Sequence, residues 1–213
     1  MRQTKIKNRG VLFTQAQGEW YLNMYVITGN KYNYVIDTGL GSFSTTPILD
    51  YIVGSTKQTI VINTHYHWDH IWGNDTFKDS LLVSHKLCWE MIQANWDGML
   101  HKYRQYCYGD VRKKLPNLLF EQELYFPEDR IRLFYSPGHT LDSISILDEA
   151  DKVLLLGDNI GDSPEELLPS LNCSHKIYKA TLRKYETMDF DTCISGHNQV
   201  FDKTILSKLF DML

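Results

Sequence analysis

The chain begins with short segments in which apolar, β-branched and aromatic residues are interrupted by glycine and asparagine. The segments are GVLFTQ, GEWYLNMYVITG and NKYNYVIDTG, and this pattern is typical of strands joined by tight turns. Thr46 and Pro47 then predict the N-cap and first position of a helix that reaches about Val53. The apolar run QTIVIN follows as a strand, which completes a first strand-helix-strand unit.

The middle of the chain changes to a helical period. Between His85 and Tyr106 the apolar residues recur at three- and four-residue spacing, which predicts an amphipathic helix or two. These residues are Trp89, Ile92, Trp96, Met99 and Tyr103. Prolines interrupt the next stretch, KKLPNLLFEQELYFPEDR. Residues 85–127 are therefore predicted as a helical insertion. Because it falls between the histidine-rich segment His65–His70 and the later His139, it is expected to lie near the active site.

The last third returns to strands. IRLFYS, SISILD and KVLLLGD are strand-like, and the apolar run of the third is typical of a strand buried on both faces. A helix from about Ser174 to Tyr185, the strand DTCISG and a helix from about Lys203 to Phe210 complete the pattern. Groups of strands followed by helices predict one layered α/β domain over residues 1–213, with helices outside packed sheets.

Composition narrows the class of protein. Hydrophobic residues at 43% and charged residues at 23% are ordinary for a globular domain. A net charge of −4 without a basic stripe argues against nucleic acid as a partner and leaves a small-molecule substrate. The four separated cysteines predict reduced thiols, and neither a signal peptide nor a membrane-spanning run is visible. We therefore expect a cytoplasmic protein without membrane contact.

The densest group of polar side chains lies in THYHWDHIWGN, which begins at Thr64. His65, His67, Asp69 and His70 fall within six positions. A packed core does not favour such crowding, because each imidazole or carboxylate must find a polar partner. Metal binding explains it directly, since imidazole and carboxylate suit zinc, iron and manganese.

Three more ligand-type side chains follow predicted strands and stand beside glycines. IRLFYSPGHT ends in His139, KVLLLGDN contains Asp158, and DTCISGHN contains His197. Each alone is compatible with a turn cap or an ordinary loop histidine. Together with the cluster they predict one site where the strand ends converge. The other histidines, predicted as surface or helix residues, are His85, His101 and His175.

The series THYHWDH, SPGHT, LLLGD and ISGH resembles, in the same order, the HxHxDH, His, Asp and His motifs of the metallo-β-lactamase superfamily, which includes a glyoxalase II-like branch. The resemblance implies an αββα sandwich, with two mixed sheets face to face between helices. It also implies a ligand set for two metals. His65, His67 and His139 would hold one metal, Asp69, His70 and His197 the other, and Asp158 would bridge them.

The resemblance extends to VIDTG, in which Asp37 would orient a ligand through a hydrogen bond, a simple turn role being the alternative. Two zinc ions are implied, with iron or manganese as alternatives. Such a pair activates water for attack on a thioester, lactone, amide or phosphodiester, and Asp69 is suited to orient that water and accept its proton. The superfamily often continues Pro-Gly after its SPGHT motif, whereas this chain has Leu141 and Asp142, which predicts a charge close to the metals.

Two alternative functions are also compatible with the sequence. One is a mononuclear iron oxygenase of the persulfide dioxygenase type, against which the complete second ligand set argues. Another is a non-catalytic metal-binding module. Glyoxalase II-like thioesterases carry a C-terminal helical region that supplies substrate contacts. We expect no such region in this sequence, so the resemblance to that branch does not identify the substrate. Trp68 and Trp72 are predicted in the pocket wall, and Trp96 either in a lid or in simple packing.

Overall fold

The computed structural model describes residues 1–213 and contains two mixed β-sheets. The first sheet has seven strands that follow one another in chain order, antiparallel from β1 to β4 and parallel from β4 to β7. Its strands are β1 (Arg2–Ile6), β2 (Gly10–Gln17), β3 (Trp20–Thr28), β4 (Tyr32–Ile36), β5 (Gln58–Ile62), β6 (Leu81–His85) and β7 (Leu118–Phe120).

The second sheet has six strands in the order β13-β12-β11-β10-β9-β8. All neighbours are antiparallel except β11 and β12, which are parallel. Its strands are β8 (Glu123–Phe126), β9 (Ile131–Tyr135), β10 (Ile144–Asp148), β11 (Val153–Leu155), β12 (Thr192–Ile194) and β13 (Phe201–Asp202). The helices are α1 (Ser42–Ile52), α2 (Trp68–Ile71), α3 (Lys86–Tyr103), α4 (His175–Glu186) and α5 (Ile205–Asp211).

The main core lies between the two sheets. Inward-facing residues of both sheets, such as Ile27 and Ile62 of the first and Leu133 and Ile146 of the second, form one buried cluster of 17 side chains. The outer face of the first sheet packs on α1, and that of the second sheet packs on α4 and α5. Two sheets face to face with helices outside give the αββα architecture, so the fold inferred from the sequence is confirmed. No helix of the chain is both long enough and apolar enough to cross a membrane.

Helix α1 begins five residues earlier than predicted. Gly41 is its N-cap with a φ of 138°, and Thr46 lies inside the helix, where its hydroxyl donates to the Ser42 carbonyl. The Ser44 hydroxyl instead accepts from the Leu40 N–H at this end. The prediction of Thr46 as N-cap was wrong because the preceding glycine makes the turn.

The helical period between His85 and Tyr106 is confirmed by the 18 residues of α3. His85 is not a surface residue: it caps α3, where its Nδ1 accepts from the Leu87 N–H, and its ring stacks on Tyr135 at 4.4 Å between centroids. The predicted helical insertion over residues 85–127 is wrong after α3, because it contains the strands β7 and β8. Strands β1 and β13 were also missed, and all four are edge strands whose side chains are largely exposed or half-buried, so they lack the apolar pattern of a buried strand.

Asp142 is fully buried. Its side chain lies beside Cys88, Thr140 and the backbone of Tyr66. Burial raises the pKa of the Asp142 carboxyl to about 6. Tyr66 stands between the candidate ligands His65 and His67, so the carboxyl lies near the site as predicted, but its complete burial was not predicted.

Replacement of this carboxyl should remove a pH dependence of stability. An unfolded Asp has a pKa of about 3.9, so the native state binds more protons and the stability contributed by Asp142 falls as pH rises from about 4 to 6. Asp142→Asn should therefore gain about 1.4 kcal/mol relative to the wild type between pH 5 and pH 8. Urea denaturation of both proteins across this range measures the difference.

The matched control is Asp97→Asn, at an exposed position of α3. Its stability should follow that of the wild type at every pH. If Asp142→Asn also followed the wild type, the raised pKa of the buried carboxyl would be refuted.

Candidate metal centre

The site lies where strands of both sheets end. Strands β4 and β5 are parallel, as are β11 and β12, so the carboxyl ends of each pair meet at one edge of its sheet. The two edges are tied together across the sandwich: the Ile144 N–H donates to the Thr64 carbonyl at 2.9 Å. The Asn23 amide of β3 donates to the Ser195 and Asn198 carbonyls on either side of His197.

All seven side chains that were predicted as metal ligands converge at this edge. They form two groups within which the ligand atoms lie within 4.8 Å of one another. One group is His65, His67, His139 and Asp158, and the other is Asp69, His70 and His197. The division coincides with the two metal sites implied by the sequence resemblance.

Asp158 occupies the centre of the arrangement. Its Oδ2 lies 3.3 Å from the Nε2 atoms of both His70 and His197, 3.5 Å from that of His65 and 3.7 Å from that of His139. Two ligand atoms on a tetrahedral metal with bonds of about 2.0–2.1 Å are separated by about 3.3 Å. A carboxylate oxygen at this separation from imidazoles of both groups is placed to bridge two metals.

Protein contacts fix the orientation of the histidine rings. His139 Nδ1 lies 2.8 Å from the Ser170 carbonyl and His197 Nδ1 lies 2.7 Å from the Tyr21 carbonyl. A carbonyl only accepts, so both Nδ1 atoms carry hydrogen, and a neutral ring then presents a bare Nε2 to the centre. His67 is turned the other way, with its Nδ1 3.0 Å from His139 Nε2.

Asp37 orients two histidine rings that follow strand β5 of the first sheet. Its Oδ2 accepts from the His70 Nδ1–H and from the Thr64 hydroxyl, each at 2.8 Å, and its Oδ1 accepts from the Thr64 N–H at 2.8 Å. Since the Thr64 hydroxyl donates to Asp37, its oxygen is free to accept from His65 Nδ1 at 3.1 Å. One carboxylate therefore directs two imidazoles, and its φ of 60° is tolerated by aspartate.

The donor set fits metal ions better than it fits a hydrogen-bonded core. His65 Nε2, His70 Nε2 and Asp158 Oδ1 are buried and have no hydrogen-bond partner. Leaving such atoms unpaired is costly, whereas a cation that binds them satisfies them together. Gly196 allows this convergence, because a Cβ there would lie 2.2 Å from Asp158 Oδ1.

The charges of the centre divide the histidines into two kinds. Burial lowers the pKa of His65 well below its usual value and that of His67 to about 4. Burial also opposes protonation of His70 and His197, but neighbouring carboxylates, Asp158 foremost, outweigh it and raise both pKa values. The same imidazoles hold the pKa of Asp158 well below its usual range, although burial opposes this.

A cleft with a volume of about 570 Å³ opens above the centre. Helix α3 forms one wall of it, with Asn95, Gly98 and Lys102, and Trp68 lines it beside the ligands. Trp72, which was predicted in the pocket wall, does not line it, and Trp96 has the packing role of its two predicted alternatives. Both are in one buried cluster, in which Trp72 directly follows α2 and Trp96 lies on α3.

Several residues of the cleft were missed by the sequence analysis. Beside the cleft, Trp20 lines the adjacent cavity and lies 5.5 Å from His197 and 6.1 Å from Trp68 between ring centroids, far from both in sequence. Asp162 lines the cleft near Asp158 and His197, and its position four residues after Asp158 was the available signal. Lys102 and Gly98 were hidden because the helical pattern marks only the buried face of α3.

Comparisons with known proteins agree with this geometry. The chain is 24% identical over 216 residues to the acyl-coenzyme A thioesterase MBLAC2 of Gallus gallus, covering 88% of this chain and 76% of the relative. It is 23% identical over 206 residues to a hydroxyacylglutathione hydrolase of Maricaulis maris, covering 81% and 73%. A beta-lactamase-like protein 2 homolog of Caenorhabditis elegans is 23% identical over 86% of this chain, which spans only 58% of that relative.

Solved structures show the same fold. A metallo-beta-lactamase from Pontibacter korlensis superposes with a TM-score of 0.79 at 19% identity, covering 100% of this chain and 99% of that one. The family model described as the metallo-beta-lactamase superfamily matches residues 18–197, a range that contains every candidate ligand. The chain therefore belongs to the metallo-beta-lactamase superfamily.

Proposed function

We propose that the protein is a dinuclear zinc hydrolase that cleaves a thioester of a small molecule. The observation that carries the proposal is the position of Asp158 Oδ2, between the imidazoles of two complete ligand groups. His65, His67 and His139 would hold one ion, Asp69, His70 and His197 the other, and Asp158 would bridge them. Three imidazoles with an open position are typical of a catalytic zinc site.

Two bound ions would supply a water of lowered pKa and polarise the carbonyl under attack. The chain's own carboxylates complete the reaction. Asp69 Oδ2 lies 3.2 Å from His197 Nε2 at the cleft, where it can orient the attacking water and accept its proton. Asp37 keeps His70 oriented, and the buried setting strengthens electrostatic interactions with the developing oxyanion.

Two observations support a thioester among the candidate bonds. Two relatives are named as enzymes of thioester chemistry, an acyl-coenzyme A thioesterase and a hydroxyacylglutathione hydrolase. A cleft of about 570 Å³ with Tyr66, Trp68 and Met99 in its wall also has room and apolar surface for an acyl chain. Lactone, amide and phosphodiester hydrolysis are the alternatives that the assay must separate.

Metal content is the first test of this proposal. Protein purified without added metal or chelator should contain about two zinc ions per chain by plasma mass spectrometry. The metal-loaded protein should hydrolyse thioesters faster than lactones or phosphodiesters of similar size. A single iron per chain would contradict the dinuclear hydrolase and favour the oxygenase reading.

Variants identify the ligands in the same measurement. His139→Ala should lose metal and activity, because it removes an imidazole from the first group. His101→Ala, at an exposed position of α3, is the matched control and should keep both. Equal metal content in the two variants would refute the assignment of His139.

Asp37→Asn tests the orienting carboxylate. Asp37 accepts from three donors, whereas the single oxygen of an asparagine amide cannot accept from all of them. Asp37 contacts His70 directly and reaches His65 only through Thr64, so affinity for the ion held by the group of His70 should fall about 10–100-fold, and by more than affinity for the other ion. Competition with a fluorescent chelator measures both affinities.

The control for this variant is Asp50→Asn, on the exposed face of α1. Asparagine is also tolerated at a φ near 60°, so the backbone at position 37 should be preserved. Unchanged affinity for both ions in Asp37→Asn would show that the carboxylate has no orienting role.

A further inference from the structure

Helix α3 presents two different faces. Its inner face, with Ile92, Trp96 and Met99, packs against α2 in a buried cluster. A second stripe, Asn95, Gly98 and Lys102, follows at intervals of three and four residues and lines the cleft above the metal centre. Asn95 and Lys102 are two turns apart, so the stripe extends about 10 Å along the cleft.

Gly98 is not required by packing or by the backbone. A Cβ at this position would meet no atom within 4 Å, and its backbone is that of the regular helix around it. Glycine is among the least favourable residues in a helix interior. The one structural consequence of this glycine is the open space that it leaves in the wall of the cleft.

Lys102 is the only lysine or arginine that lines this cleft. Its ammonium forms no ion pair and lies 4.9 Å from the centroid of the Tyr103 ring, which in turn stacks on Trp68 at 4.9 Å. Trp68 stands between His67 and Asp69 in the chain. The unpaired ammonium of Lys102 therefore lies beside the aromatic wall formed by Tyr103 and Trp68, which is adjacent to the candidate ligands.

The opposite side of the centre has the opposite charge. Asp162 lines the cleft close to Asp158 and His197, and it also lines a second cavity, whose other charged residues include Glu19, Glu165 and Arg2. An anionic group placed there would meet an excess of carboxylates. A negatively charged substrate is therefore directed toward α3.

The floor of this cleft contains a candidate metal ligand. Asp158 lines the cleft, is 5% exposed, and has an Oδ1 without a hydrogen-bond partner. The α3 stripe is thus one wall of a site whose floor is defined independently by unsatisfied ligand atoms.

We propose that the cleft selects acyl substrates that carry an anionic group, with Lys102 binding that group and Gly98 leaving room for the chain that joins it to the scissile bond. This proposal rests on the hydrolase function proposed above. A carboxylate on the acyl chain and a phosphate on the thiol portion share the required chemistry, and the experiment separates them.

Binding is measured with thioethers, which the metal centre cannot hydrolyse, by quenching of tryptophan fluorescence in the metal-loaded protein. One pair is S-butyl- and S-(3-carboxypropyl)-N-acetylcysteamine, which differ by a carboxylate. The other is S-butylpantetheine and its 4′-phosphate, which differ by a phosphate. The wild type should bind the anionic member of at least one pair about tenfold more tightly, and salt should weaken this preference.

Lys102→Met should abolish the preference by weakening the anionic member about tenfold and leaving the neutral member unchanged. Lys86→Met, on the same helix but outside the cleft, is the matched control and should keep the preference. No preference in either pair for the wild type would overturn the proposal. So would a preference that persists in Lys102→Met, because the anion would then bind the metals themselves.

Gly98→Leu tests the open space. It should raise the melting temperature, since leucine favours helix and meets no neighbouring atom, and yet weaken both thioethers of a pair at least tenfold. Unchanged binding in this variant would refute the role of Gly98. The corresponding thioesters are then assayed for hydrolysis: a preserved binding preference without hydrolysis would refute the proposed function alone, and hydrolysis without a preference would refute this inference alone.

Discussion

The structure depends on the burial of polar ligand atoms that no group of the protein satisfies. His65 Nε2, His70 Nε2 and Asp158 Oδ1 are removed from water without a hydrogen-bond partner at the junction of the two sheets. Such atoms are tolerated only where something else binds them. Asp37, Thr64 and the backbone carbonyls of Ser170 and Tyr21 complete the arrangement by turning each ring toward the same point.

This constraint explains why the ends of strands matter more than their interiors. The interior residues of β5 and β11 are interchangeable apolar groups that fill the space between sheets. The residues that follow β4, β5, β11 and β12 must instead bring side chains to one point from several directions. This requires glycine, an aspartate in the left-handed conformation or a short turn at these strand ends. Gly196 and Asp37 are two such positions, and each contacts a candidate ligand directly.

Period and residue type predicted the layered strands and helices and the convergence of ligand-type residues, whereas the αββα sandwich and the division of the ligands into two groups were implied by the resemblance to the metallo-β-lactamase superfamily. Helix α3 and strand β11 follow from their apolar patterns alone. The cleft was predicted less well. Trp20, at the start of β3, contacts the aromatic wall of the cleft through Trp68, and Trp72 and Trp96 pack in the core, since contacts between distant elements are absent from any local pattern.

The candidate ligands come from both sheets: His65, His67, Asp69 and His70 follow strand β5 of the first, and His139, Asp158 and His197 follow strands of the second. Ions bound between them would cross-link the two halves of the chain over separations of about 70 to 130 residues. Such a cross-link forms only after both sheets have folded and met, so metal binding would come late in folding and would report on completed assembly. Bound metals would thereby stabilise the contact between the two sheets in addition to forming the reactive centre.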